Sequence, residues 1–172
     1  MNIIVEDTNI LIDLYNTGLI RFCHLMGFEF HTTGYVIGEI GDQAQLSTVL
    51  GYINNNYLIV DNFSGNEFVE LTEMQQEFKG KNNLSEADCS VILLAEKHKC
   101  RLLTADQKLK KQAEARSVEV HGFLWLTDRM VEQGVVEQLD MANHLQRYKD
   151  TNPRAPEPET SERIMNYKHI KI

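Results

Sequence analysis

The sequence predicts an α/β fold of three layers (α/β/α), in which helices cover both faces of a central, mostly parallel sheet. Short apolar segments of strand length alternate with helical segments along most of the 172 residues, and this alternation is typical of parallel sheets. The length suits one domain with a substantial core. All three prolines lie between residues 151 and 162. We therefore expect one domain over residues 1–150, followed by a C-terminal arm over 151–172. Residues 151–162 are expected to form a linker or extended segment, whereas residues 163–172 could pair with a sheet edge, dock on a partner or be disordered.

Five segments are predicted strands, because apolar residues run together or alternate within them. They cover residues 2–5, 28–31, 57–60, 101–103 and 118–121. Helices are predicted where apolar residues recur at spacings of three and four. The first helix follows the cap residue Asp7. Further helices are expected around residues 36–40, 46–53, 68–78, 85–98, 107–116, 123–133 and 136–148.

Composition excludes several classes of protein. No apolar run approaches the roughly 20 residues of a membrane span, and the first residues do not resemble a secretion signal, so a cytoplasmic protein is expected. The three cysteines have no C-x-x-C spacing and the six histidines have no ligand spacing. Neither a disulfide framework nor a zinc site is therefore expected.

The net charge of −8 is unevenly distributed along the chain. Residues 1–78 carry eleven acidic residues and one basic residue, whereas residues 79–117 carry nine basic and five acidic residues. A local basic stretch on an acidic protein can still contact nucleic-acid phosphates. A solvated helix face explains the same stretch equally well.

Four carboxylates lie where strands lead into helices or just inside helices: Asp7, Glu39, Asp88 and Asp106. If the fold brings them together, their mutual repulsion requires a divalent cation such as Mg²⁺. Each acid also has an ordinary explanation. Asp7 and Asp106 fit helix N-caps, and Asp88 with Ser85 fits a capping box. A cap role is awkward only for Glu39, which sits among apolar residues. Asp42 is a nearby substitute if Glu39 faces solvent.

The ordered set of motifs around these acids resembles the PIN-domain nucleases over about residues 2–125. The motifs are an apolar strand followed by Asp7-Thr8-Asn9, a helical Glu39, a helical Asp88 before an inward apolar face, and the strand end Thr104-Ala105-Asp106. The sequence departs from the family pattern at Glu6, where an apolar residue is common. Three interpretations of Glu6 are open. It could add a ligand to the same cation, it could bind a second cation, or it could point to the opposite face of its strand, as the alternation of side chains along a strand suggests.

The resemblance implies a metal-dependent endoribonuclease that hydrolyses RNA phosphodiester bonds with one or two Mg²⁺ or Mn²⁺ ions. It implies that the four acids are both the catalytic and the metal-binding residues. It also implies that Thr8, Asn9 and Thr104 support them. Candidate phosphate contacts in the basic stretch are Lys79, Lys81, Lys108, Lys110 and Lys111.

A small, lone domain of this family further implies a VapC-like toxin, with RNA as its substrate and an antitoxin protein as its partner. A homodimer is also expected. An RNA-processing enzyme or an orphan nuclease is the alternative role within the same family.

Three other classes compete with the nuclease. A receiver-like phospho-acceptor domain would use Glu6-Asp7, Asp61 and Thr104, but the lysine it needs after the next strand is missing. A dehalogenase-like phosphatase would need an acid at Asn9. A catalytically silent interaction module would keep the fold, but four uncompensated acids in one cleft would be costly.

Overall fold

The computed structural model describes residues 2–80 and 83–168. Within these residues, five strands form one parallel sheet: β1 (Ile3–Glu6), β2 (Glu29–Thr33), β3 (Ile59–Asp61), β4 (Arg101–Leu103) and β5 (Val120–His121). Their order across the sheet is β3-β2-β1-β4-β5. The predicted three-layer α/β/α fold with a parallel central sheet is confirmed.

Nine α-helices are present in the described part of the chain. They are α1 (Thr8–Thr17), α2 (Gly34–Gly38), α3 (Gln43–Asn54), α4 (Gly65–Phe78), α5 (Glu86–His98), α6 (Gln107–Ala115), α7 (Phe123–Glu132), α8 (Gln138–Thr151) and α9 (Glu159–Lys168). A 3₁₀ helix, Ile20–Leu25, was not expected from the sequence. None of the described helices has the length and apolar character needed to cross a membrane.

Strand β1 lies at the centre of the sheet and sets the position of the candidate acids. It pairs with β2 on one side and with β4 on the other, so that Val5 lies opposite both His31 and Leu102. The pairing continues past the strand, since the Asp7 N–H donates to the Leu103 carbonyl at 3.1 Å. Because all strands are parallel, their carboxyl ends meet at one edge of the sheet.

The strand order also bears on the receiver alternative. In receiver domains the doubly wound sheet has the order 2-1-3-4-5. Here β1 lies between β2 and β4, and β3 is an edge strand. This topology argues against a receiver-like phospho-acceptor domain.

Helix α5 is buried deeply against the sheet. Eight of its thirteen residues are buried, and Val91, Ile92 and Leu94 are fully enclosed. Enclosing a side chain of this size stabilises the fold by about 2 kcal/mol. The helix begins with the predicted capping box, in which Ser85 Oγ accepts from the Asp88 N–H and Asp88 Oδ2 accepts from the Ser85 N–H. The position of Asp88 is thereby fixed by both the core and the cap.

The C-terminal stretch differs from the expected linker or extended arm. Residues 159–168 form α9, which packs against α8 and buries Ile164. Arg163 binds Asp128 of α7 with both ends of its guanidinium, at 2.9 Å from Nε to Oδ1 and 2.8 Å from Nη2 to Oδ2. The interpretation as a linker or extended segment is therefore wrong over residues 159–162, and residues 163–168, for which several states were open, form the rest of α9. Residues 169–172 lie outside the described residues. The domain boundary at residue 150 stays a prediction.

Candidate active site

Asp7 is a buried carboxylate at the carboxyl end of β1. Its side chain caps α1, with Oδ1 accepting from the Thr8 N–H at 2.7 Å and Oδ2 accepting from the Thr104 hydroxyl at 2.8 Å. Burial raises its pKa to about 6, against the lowering effect of these two hydrogen bonds. The negative charges of Asp88 and Glu39 raise it further. Asp7 is therefore an anion that a nearby cation would strongly stabilise.

Two threonines connect Asp7 with two of the other acids. The Thr8 hydroxyl donates to Glu39 Oε2 at 2.7 Å, which ties the start of α1 to the residue that ends α2. The Thr104 hydroxyl donates to Asp7 and accepts from the Asp106 N–H at 3.0 Å. These hydroxyls lie beside the acids that the sequence analysis assigned them to support.

Asp88 brings the fourth carboxylate into the same group. Burial raises its pKa, hydrogen bonds from Ser85 lower it, and the charges of Asp106 and Glu39 raise it again. Asp88 thus interacts electrostatically with Asp7, Glu39 and Asp106. We call these four residues the acidic group.

The ordinary explanation also holds for part of this group. Asp106 Oδ1 accepts from the Lys108 and Leu109 N–H groups at 2.7 and 3.0 Å, as an N-cap should. Asp7 and Asp88 are caps as well. Glu39 is different, because it is exposed at the end of α2 and binds a side-chain hydroxyl. Capping alone therefore does not account for the acidic group.

The donor set of the acidic group fits Mg²⁺ or Mn²⁺. All four side chains offer carboxylate oxygens, which hard divalent cations prefer. Within residues 2–80 and 83–168, however, the one set of three side chains with ligand atoms within 4.8 Å of one another lies elsewhere. The acidic group is thus open. An open group suits Mg²⁺, which keeps several waters and uses few carboxylates.

Glu6 does not resemble a further ligand. Its side chain is 2 % exposed, Oε1 has no hydrogen-bond partner among the described residues, and burial raises its pKa to about 8. Burial raises the pKa of the Cys23 thiol, and the negative charge of Glu6 raises it further. Glu6 therefore lies in the interior beside Cys23, which fits the alternative that it points away from the acids.

A cavity of about 260 Å³ adjoins Asp106 and contains residues that the sequence analysis missed. It is lined by the exposed Asn9, by Asp13 and Asn152, and by Arg154. Arg154 belongs to the proline-containing stretch that was assigned to the arm. This cationic residue lines the same cavity as Asp106 because the chain folds back there, and no local sequence pattern predicts that arrangement.

A second cavity, of about 730 Å³, lies beside Glu39. Its lining includes the aromatic residues Tyr35, Phe63 and Phe68, with the Tyr35 and Phe63 ring centres 6.5 Å apart. Aromatic faces of this kind can stack on unpaired bases. No spacing in the sequence predicts that these three aromatic residues line one cavity.

The lysines assigned to phosphate contacts remain predictions. Lys79, Lys108 and Lys111 are exposed, and Lys110 approaches Glu114 at 3.8 Å. Lys108 lies in the first turn of α6, next to Asp106. Lys81 lies outside the described residues.

Comparisons with known proteins complete the description of the site. A protein-family model described as a PIN domain matches residues 3–168. No match was found among curated proteins. A domain of a functionally unknown protein from Methanocaldococcus jannaschii is 19 % identical, with 71 % of this chain and 91 % of that chain covered and a TM-score of 0.46. The FitAcB structure from Neisseria gonorrhoeae is 11 % identical, with 68 % and 95 % covered and a TM-score of 0.40. Both structural similarities are weak.

Proposed function

The chain belongs to the PIN-domain family, and from that premise we propose that it is a metal-dependent endoribonuclease acting at the acidic group. The observation that carries the proposal is the environment of Asp7. Burial and the charges of two neighbouring acids make this anion costly, and the hydrogen bonds from Thr8 and Thr104 offset only part of that cost. A bound cation would offset the rest.

Asp7, Glu39, Asp88 and Asp106 would hold the Mg²⁺ or Mn²⁺ ion. A divalent ion bound there supplies Lewis-acid polarisation of the scissile phosphodiester and makes a water more acidic. The threonines keep two of the acids oriented. The Thr8 hydroxyl donates a hydrogen bond to Glu39, and the Thr104 hydroxyl donates one to Asp7. Asp7 is thereby fixed in place before the substrate arrives, which reduces the cost of ordering it during the reaction.

The substrate class we propose is single-stranded RNA. Its bases are unpaired, so they are available to stack on Tyr35, Phe63 or Phe68 in the cavity beside Glu39. Arg154 and the exposed Lys108 flank Asp106 on another side and provide positive charge for the phosphates. The RNA would cross the acidic group between these two surfaces.

We also propose a toxin role in the cytoplasm, with an antitoxin protein as the inhibitory partner and a homodimer as the active form. Family membership supports the toxin role. Phe68 and Val69 are 55 % and 54 % exposed on α4, and Phe68 borders the aromatic cavity, so an apolar partner segment has a surface to cover there. Light scattering of the purified chain would test the homodimer.

The experiment that tests the nuclease compares wild type with Asp7→Asn and Asp88→Asn on mixed single-stranded RNA. We expect Mg²⁺- or Mn²⁺-dependent cleavage that EDTA abolishes, and a loss of about 100-fold or more in each variant, because metal catalysis contributes several kcal/mol. The matched control is Asp140→Asn. Asp140 is an exposed acid in the first turn of α8.

Circular dichroism of each variant verifies that the fold is kept. Cleavage by Asp7→Asn and Asp88→Asn at the wild-type rate would refute the assignment of the acidic group. A folded wild-type protein that binds RNA without cutting it, at any concentration of Mg²⁺ or Mn²⁺, would favour the catalytically silent interaction module.

A further inference from the structure

Three potential metal ligands from distant parts of the chain meet beside β2 and β3. They are His31 in β2, Asp61 at the end of β3 and His98 at the end of α5. His31 Nδ1 lies 2.5 Å from Asp61 Oδ2, and His98 Nε2 lies 3.2 Å from Asp61 Oδ1. One ligand atom from each residue can be chosen so that all three lie within 4.8 Å of one another.

The second nitrogen of His31 is already oriented as in a metal site. Nε2 lies 2.8 Å from Glu29 Oε1, while Nδ1 faces Asp61 and His98. Metal-binding histidines usually donate their other ring N–H to a carboxylate, which fixes the tautomer and the ring. His31 is 5 % exposed. Both ring nitrogens therefore face a carboxylate oxygen, and a cation between Nδ1 and Asp61 could replace their direct contact.

The spacing is close to what a tetrahedral ion requires. Ligand atoms about 2.0–2.2 Å from such an ion lie roughly 3.4 Å apart. His98 Nε2 lies 3.2 Å from Asp61 Oδ1, which is close to this separation. His31 Nδ1 faces the other oxygen, Oδ2, at 2.5 Å and would need to move back by about 1 Å, so an ion would be held by one or both oxygens of Asp61. The side chains of Asp61 and His98 are 16 % and 21 % exposed, so an ion can enter and a water can complete the coordination.

We propose that His31, Asp61 and His98 bind a transition-metal ion of the zinc class, with Glu29 as the residue that positions His31. Two imidazoles and one carboxylate suit Zn²⁺, whereas Mg²⁺ prefers oxygen ligands only. We call these three residues the histidine site.

The histidine site borders the cavity beside Glu39, because Asp61 lines that cavity, but His98 carries the site away from Asp88. Asp88 lies in the first turn of α5 and His98 ends the same helix, ten residues later, which corresponds to about 15 Å along the axis. The ion would join β2 and β3 to the far end of α5. Its role is therefore to stabilise the packing of α5 on the sheet, and metal binding should raise the melting temperature.

The test is a titration of the full chain with Co²⁺, read by visible absorption, followed by competition with Zn²⁺. We expect one Co²⁺ per chain with the intense visible bands of a tetrahedral site, displaced by Zn²⁺ and unaffected by excess Mg²⁺. His98→Gln and Asp61→Asn should each weaken binding at least 100-fold. Glu29→Ala should weaken it about 10- to 100-fold, as loss of a positioning carboxylate does.

Two controls keep the assignment specific. His121→Gln removes another partly buried histidine that lies 2.7 Å from a carboxylate, Glu119, and should leave the Co²⁺ affinity unchanged. The double variant Asp7→Asn/Asp88→Asn should also keep the spectrum. This result is expected whether or not the protein is a nuclease, so the two proposals fail independently.

Three outcomes would overturn the proposal. They are a wild-type protein that gives no tetrahedral Co²⁺ spectrum, a folded His98→Gln variant with wild-type affinity, and loss of the spectrum in the double variant, which would place the ion in the acidic group. As an independent measurement, Zn²⁺ should raise the melting temperature of wild type and of His121→Gln but not of His98→Gln.

Discussion

At the scale of single residues, one carboxylate can be both a helix cap and a candidate metal ligand. Asp7 uses one oxygen to cap α1 and the other to accept from Thr104, so capping does not exclude a second role. The sequence allowed both explanations, because an acid at a helix start looks identical in either case. What separates them is burial and the charge of Asp88 and Glu39 nearby, which only the fold provides.

Glu6 and the histidine site show what local patterns miss. Strand alternation suggested that Glu6 points to the opposite face of β1, but its full burial beside Cys23 is decided by tertiary packing. The histidines showed no ligand spacing in the sequence, yet His31 and His98 reach Asp61 from separate elements. Residues that meet across a parallel sheet carry no spacing signal.

The pH dependence of stability should depend partly on Asp13. Burial raises its pKa from 3.8 to about 7, although the Asn152 amide donates to it. Between about pH 4 and pH 7 the unfolded chain ionises Asp13 while the folded chain keeps it protonated, so the free energy of unfolding should fall by up to about 4 kcal/mol as the pH rises. Asp13→Asn cannot ionise and should show a smaller fall in urea denaturation across this window.

The control for this prediction is Asp140→Asn, which removes an exposed carboxyl on α8. Its stability should follow the wild-type pH profile. Parallel profiles for Asp13→Asn and wild type would mean that Asp13 ionises as easily in the folded protein as in the unfolded one.

At the scale of elements, the predicted strands and most helices are confirmed, because their signals are local. The best example is α5, which was predicted over residues 85–98 from its capping box and inward apolar residues, and spans Glu86–His98. Helix α9 was missed for a physical reason. It buries few apolar side chains, and it is held by Arg163 and Tyr167 on Asp128, a contact across 35 residues or more.

Helix α9 should contribute measurably to stability. Ile164→Ala should lower the free energy of unfolding by about 2–4 kcal/mol in urea denaturation, because it leaves a cavity under a side chain that is 6 % exposed. The matched control is Met165→Ala, whose side chain is 53 % exposed and whose loss should cost less than about 0.5 kcal/mol. Equal, small effects in both variants would show that α9 is not docked in solution.

At the scale of the whole molecule, the uneven charge should control RNA binding. Each lysine that contacts a phosphate of single-stranded RNA contributes about 0.7 to the slope of log affinity against log salt. Lys108→Ala/Lys111→Ala should therefore reduce the magnitude of that slope by about 1.4. Fluorescence anisotropy of labelled single-stranded RNA in EDTA, which prevents metal-dependent cleavage, measures it.

The charge-matched control is Lys97→Ala/Lys99→Ala. These lysines precede β4 and so lie toward the opposite edge of the sheet, and Lys97 forms only a surface ion pair with Glu67. An equal loss of slope in both double variants would show that net charge, and not contact beside Asp106, governs binding.

The central position of β1 has a consequence for how the protein is made. Strand β1 pairs with β4, which is synthesised about 100 residues later, and Asp7 receives its hydrogen bond from Thr104. A nascent chain that ends before β4 therefore has no assembled acidic group. If the protein cleaves RNA as proposed, the messenger and the ribosome are protected from the emerging enzyme until β4 and Thr104 have been made.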